Sequence, residues 1–130
     1  MKADARDWVE SAEVDFQVAS SQFRLRTKRS TANAICFHCQ QCVERYLKAR
    51  LVEAGLDIPR THDLVLLLQR LSPIEPLWTA FAPSLRGLND YAVKYRYPGH
   101  IATRADAREA LKACRSIRVE VRLSLGLPKK

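Results

Sequence analysis

The chain has 130 residues, a length suited to one domain whose core needs no staples. Its 47% hydrophobic residues never run to the roughly 18 consecutive apolar positions of a membrane span. A formal charge of +8 turns attention to nucleic acid, nucleotide phosphates or an acidic protein partner.

Residues 3–26 place Trp8, Ala12, Phe16, Ala19 and Phe23 three or four apart, the spacing of a long helix with one face inward. The polar turn 27–30 then predicts an antiparallel neighbour. A second helix is expected over residues 31–54, with Ala32, Ile35, Cys36, Cys39, Cys42, Val43, Tyr46, Leu47 and Ala54 on its apolar stripe. Ser30 and Thr31 offer N-cap hydroxyls, and Gly55 offers the left-handed residue that leaves the helix. Thr61 is expected to cap a short helix over residues 62–71, with Leu64, Leu67, Leu68 and Leu71 inward, and Ser72-Pro73 stops it.

Residues 74–95 carry Leu77, Trp78, Phe81, Leu85, Leu88, Ala92 and Tyr95 at near-heptad intervals. Pro83 splits them into a short helix before Ala82 and a longer one after it. Residues 96–102 form a polar loop turning at Pro98-Gly99, the type of segment on which functional residues concentrate. Thr103 and Asp106 make a variant capping box for a last helix over residues 104–125, ended by Gly126, with the tail 127–130 expected to be frayed. The fold class is therefore all-α, an up-and-down antiparallel bundle of four to five helices in a single domain over residues 1–130.

The charge is uneven. Residues 86–130 hold eleven Lys and Arg against four Asp and Glu, nearly the whole excess. At about 100° per residue, Leu111, Cys114, Ile117, Val121 and Leu125 share one arc of the last helix. Arg104, Arg108, Lys112, Arg115, Arg118 and Arg122 share the arc beside it, with Asp106, Glu109 and Glu120 on the opposite flank. Such a stripe, about 27 Å long, can follow a phosphate backbone, or it can be a solvated face or pair with a partner's acids.

Cys36, Cys39 and Cys42 with His38 suggest a metal site. Inside one helix, residues i and i+6 lie about 9 Å apart along the axis, too far for a tetrahedral site, so the thiols read as small core residues and no metal is expected. His38, Gln41 and Arg45 share a flank of the second helix, beside an outward Lys48 and near the His62-Asp63 turn. They either line a ligand groove or satisfy neighbouring groups. The charged N-terminus lacks the apolar centre of a signal peptide, which predicts a cytoplasmic protein with reduced cysteines.

The run Cys36-Phe37-His38-Cys39-Gln40-Gln41-Cys42-Val43-Glu44-Arg45-Tyr46-Leu47-Lys48-Ala49, then Gly55, then Thr61-His62-Asp63-Leu64, then Tyr95-Arg96-Tyr97-Pro98, resembles HEPN domains in order and spacing over nearly the whole chain. The resemblance implies a homodimeric binding module without cofactor. It also implies a nucleotide or RNA ligand near His38, Gln41, Arg45, Lys48, His62, Asp63 and Tyr97, and a minimal nucleotidyltransferase as partner in a toxin–antitoxin-like pair. Ribonuclease members carry an Arg and a His four to six residues apart at the dimer seam, where the His moves protons and the Arg stabilises phosphate. Arg96 and His100 are the matching pair here, with only three residues between them. The alternatives are thus a metal-independent RNase using that pair, or an adaptor whose stripe docks an acidic protein.

Overall fold

The computed structural model describes residues 1–94 and 97–130. Its helices are α1 (Ala3–Arg24), α2 (Ala32–Glu53), α3 (Leu64–Leu71), a 3-10 turn (Pro76–Phe81), α4 (Ala82–Lys94) and α5 (Arg104–Ser124). No strand occurs among the described residues, so the all-α bundle stands as expected. Tyr95 and Arg96 lie outside the described residues.

Long-range hydrogen bonds fix the helix directions. Lys2 N donates to Glu53 at 2.8 Å and the Tyr46 hydroxyl to Glu13 at 2.6 Å, so α1 and α2 run antiparallel. Arg50 Nε reaches Ser124 at 2.8 Å while Cys39 meets Cys114, so α2 and α5 run parallel. They form a diagonal of the bundle, and small side chains let them approach. Cys36, Cys39, Cys42, Ala107, Ala110 and Cys114 are all buried. Burial pushes the Cys36 thiol up to about 12. The contact with Cys114, and then burial, raises Cys39 well above the usual thiol range. The Cys39 bond pulls Cys114 down, but the Cys42 bond and burial outweigh it.

Every apolar residue expected inward on α2 is buried except Ala54, which is exposed at the C-terminal end. On α1, Ala5, Val9, Ala12 and Ala19 make the buried line, while Trp8, Phe16 and Phe23 sit half-buried at its rim. Leu77, expected inward, is 87% exposed, because the short 3-10 turn directs Trp78 into the core instead. Gly55 and Gly126 both take left-handed backbone, at φ +73° and +75°, and end α2 and α5.

Caps follow local chemistry. Ser30 Oγ accepts from Ala32 N at 3.2 Å, while Thr31 makes no side-chain cap. Thr103 and Asp106 form the reciprocal box expected at the start of α5. The expected Thr61 cap is corrected. Asp63 Oδ1 caps α3 by accepting from Val65 N at 2.9 Å, and Thr61 Oγ1 accepts from Asp63 N, so the helix starts two residues later than the spacing indicated. In the C-terminal tail, Pro128 O and Lys129 O accept from Arg122 and Arg118.

Buried thiols that a reagent cannot reach are poor nucleophiles. The four cysteines should therefore react slowly, if at all, with a thiol-specific disulfide reagent in the native protein, and all four should titrate once guanidinium unfolds it. A fast-reacting native thiol would contradict the packing.

Candidate functional site

A helix buried on most of its faces must satisfy its polar side chains inside the protein. On α2 this produces a polar seam. Glu44, with its side chain 5% exposed, accepts from Lys48 Nζ at 3.0 Å, from Gln40 Nε2 at 3.2 Å and from His62 Nδ1 at 3.0 Å. Gln40 Nε2 also donates to His62 O at 3.1 Å, and Gln41 Nε2 donates to Gln40 Oε1 at 2.7 Å. On the neighbouring flank Asp15 of α1 meets His38 Nδ1 at 2.8 Å and Arg45 at 2.6 Å.

These partners revise the expected ligand groove. Lys48 does not point outward: it is buried on Glu44, with its ammonium 5.5 Å from the Trp8 ring. A single α1 carboxylate occupies His38 and Arg45. His62, Asp63 and Tyr97 remain together. With Asn89, Ala92 and Val93 they line a cavity of about 430 Å³ between the start of α3 and the end of α4. His62 leans on Glu44, yet its side chain is 78% exposed. Asp63 Oδ1 holds the α3 cap and accepts from Asn89 Nδ2 at 2.8 Å, while Asn89 Oδ1 accepts from Leu64 N at 3.0 Å.

The loop beyond Tyr97 is tied to the first turn of α2. Asn33 Nδ2 donates to His100 O at 3.1 Å, and Asn33 Oδ1 accepts from Ala102 N at 2.6 Å. This places the His100 backbone, while its imidazole stays exposed with no carboxylate partner among the described residues. The expected mate of His100, Arg96, lies outside the described residues.

The cationic stripe of α5 divides in two. Arg118 and Arg122 are 8% exposed and do not belong to an outer face, which corrects the expectation. Arg118 clasps Glu13 through two bonds of 2.6 and 2.7 Å and lies 4.3 Å from the Phe16 ring centre. Arg122 NH1 meets the Tyr46 hydroxyl at 3.0 Å. The physical reason is adjacency: near its C-terminal end, the arc beside the apolar one lies over α1 and under the returning tail. Arg104, Arg108, Lys112 and Arg115 are exposed and form no ion pair among the described residues. Arg104 lies 4.1 Å from the Phe23 ring centre and donates to Phe23 O, and with Arg26, Ser30 and Thr31 it borders a second cavity of about 460 Å³.

Sequence spacing alone missed Glu44, Asn89, Asn33, Asp15 and Glu13. Only Glu44 left a sequence signal, as the i,i+4 partner of both Gln40 and Lys48. Among the described residues no group of three or more His, Cys, Asp or Glu is placed to hold a metal, and no helix is long and apolar enough to cross a membrane.

A family model described as HEPN domain matches residues 5–123. The crystal structure of TT1696 from Thermus thermophilus is similar with a TM-score of 0.81 at 27% identity, covering 94% of this chain and 98% of that one. No curated protein matches the chain.

The Glu13 cluster carries a pH dependence. Burial would raise the Glu13 carboxyl, but hydrogen bonds from Arg118 and Tyr46 and the charges of Arg118 and Arg122 overcome it and hold the carboxyl below its usual range. A depressed folded value means stability that is present above the unfolded carboxyl value of about 4.3 and lost as pH falls through the folded one. Urea midpoints should therefore fall on acidification below about pH 4.3, with a shallower acid slope in Glu13→Gln than in wild type. Equal slopes would show that Glu13 carries none of it.

Proposed function

Because the chain belongs to the HEPN family, we propose that it is a module that binds single-stranded RNA without cleaving it. The supporting observation is the set of four exposed cations, Arg104, Arg108, Lys112 and Arg115, on one face of α5 with no acid neutralising them among the described residues. A protein face that keeps such charges solvated pays no desolvation cost until a polyanion arrives, and each phosphate it neutralises releases counterions. Phe23 beneath Arg104 holds the first of them at the end nearest the loop. Turnover is not part of the reading. The exposed His100 imidazole has no carboxylate partner among the described residues, so no such group supports it as a proton carrier.

The same reading assigns two protein partners, a second copy of this chain and a minimal nucleotidyltransferase. Family membership supports the second copy, and the motif resemblance alone is the ground for the nucleotidyltransferase.

Fluorescence anisotropy with a labelled single-stranded RNA tests the binding. Affinity should fall as salt rises from about 50 to 200 mM, and Lys112→Gln with Arg115→Gln should weaken it and flatten the log–log slope by about 1.4, that is, about 0.7 for each lost contact. RNA incubated with the protein in EDTA should stay intact. Absence of salt-sensitive binding would overturn the reading, and cleavage abolished by His100→Ala would replace it with an RNase that uses the loop.

A further inference from the structure

The turn between α1 and α2 is densely cationic. Residues 24–31 carry Arg24, Arg26, Lys28 and Arg29, all exposed, and no acid. The fold sets this turn against the start of α5, and the cavity of about 460 Å³ between them is bordered by Arg26 and Arg104. We propose that this cavity holds the terminal phosphate of the bound strand, a phosphomonoester at its 5′ or 3′ end. The inference rests on the RNA-binding reading and adds to it a site and a preference for phosphorylated ends.

The polar lining is rich in free donors. Arg26 makes no hydrogen bond or ion pair among the described residues, so its whole guanidinium is available. Arg104 is held in place by one N–H to Phe23 O at 2.9 Å and by the Phe23 ring 4.1 Å away, and its remaining N–H groups are uncommitted. Ser30 Oγ accepts from Ala32 N and keeps its own O–H to give. Thr31 makes no cap, and its hydroxyl has no partner among the described residues. No Asp or Glu among the described residues lines the cavity.

Two guanidiniums and two hydroxyls around one acid-free space suit an end of the strand better than its interior. An internal diester carries a single negative charge and two free oxygens. A terminal monoester carries about 1.5–2 negative charges near neutral pH and three strong acceptor oxygens, so it can use every donor that the cavity offers. The cations of α5 are arranged differently. Arg104, Arg108, Lys112 and Arg115 stand singly, about one turn apart, a spacing that suits one charge per phosphate. Arg104 is common to both sets. A backbone lying along Arg115, Lys112 and Arg108 therefore reaches the cavity at Arg104, where the α1–α2 turn forms the opposite wall and Arg26 adds the second charge.

The experiment measures, by anisotropy at one salt concentration, three internally labelled RNA octamers of the same sequence: unphosphorylated, 5′-phosphorylated and 3′-phosphorylated. At least one phosphorylated octamer should bind about tenfold more tightly than the unphosphorylated one, and whichever does so names the end. Arg26→Gln removes no contact of the fold and should bring that ratio to about one. Arg115→Gln, at the far end of the stripe, should weaken all three octamers and leave the ratio as it was, which separates a site from the general attraction of added charge. Wild-type ratios near one with salt-sensitive binding intact would overturn this inference and leave the RNA-binding reading standing. A ratio that survives Arg26→Gln, or that falls equally in both variants, would also overturn it. Failure of all three octamers to bind would overturn the two together.

Discussion

Glu44 is a carboxylate almost without access to water, and the arrangement around the cavity depends on satisfying it. Burying such a charge costs several kcal/mol unless partners meet it, and removing one partner of a buried pair costs about 3–5 kcal/mol. The chain supplies Lys48 and Gln40 from the same helix and His62 from the segment that leads into α3. Gln40 then reaches the His62 carbonyl as well, so the turn is held by both its side chain and its backbone. Asp63, the next residue, is thereby placed to cap α3 and to take Asn89 from α4. A need that begins as charge desolvation on one helix thus fixes the relative position of three.

The same logic gives α5 two electrostatic characters. Its diagonal contact with α2 rests on thiols and alanines small enough for close approach, with Cys114 against both Cys39 and Cys42. Close approach leaves α5 near α1, and the cations that meet α1 become structural: Arg118 on Glu13 and Phe16, and Arg122 beside Tyr46. Burial and the Glu13 hydrogen bond raise the Tyr46 phenol, so it stays protonated and donates to Glu13 while accepting from Arg122. Cations that face away from these contacts keep their charge available. One helical period therefore yields both a clamp and an exposed cationic face, divided by what lies opposite each residue.

Much of the fold was legible because it depends on periodicity and punctuation. The apolar spacing of α2, the Thr103–Asp106 box and the glycines after α2 and α5 all act locally, and each appears where the spacing put it. The misreadings share a cause: a wheel shows which side chains share a face, but not what that face meets. Lys48, Arg118 and Arg122 looked solvated because they are cations, yet acids contributed by α1 and α2 and the hydroxyl of Tyr46 draw them inward. Thr61 and Asp63 are both good caps, and Asp63 is chosen by Asn89, a residue 26 positions away. In the candidate site, His62, Asp63 and Tyr97 were legible as residues, but the contacts that place the first two were not. They come from Glu44 and Asn89, whose roles exist only after α2, α3 and α4 are packed.

Two loops are thus referred to one rigid helix at two points. Near its start, Asn33 grips His100 and Ala102 through both ends of its amide, and half-way along, Glu44 and Gln40 grip His62. The first grip places the approach to Arg104, and the second places the wall of the cavity. The two grips are separated along α2 by the rise between residues 33 and 44, about 16 Å at 1.5 Å per residue. That spacing does not depend on either loop being rigid by itself. Polar side chains on the most buried helix of the bundle therefore set the positions of both loops.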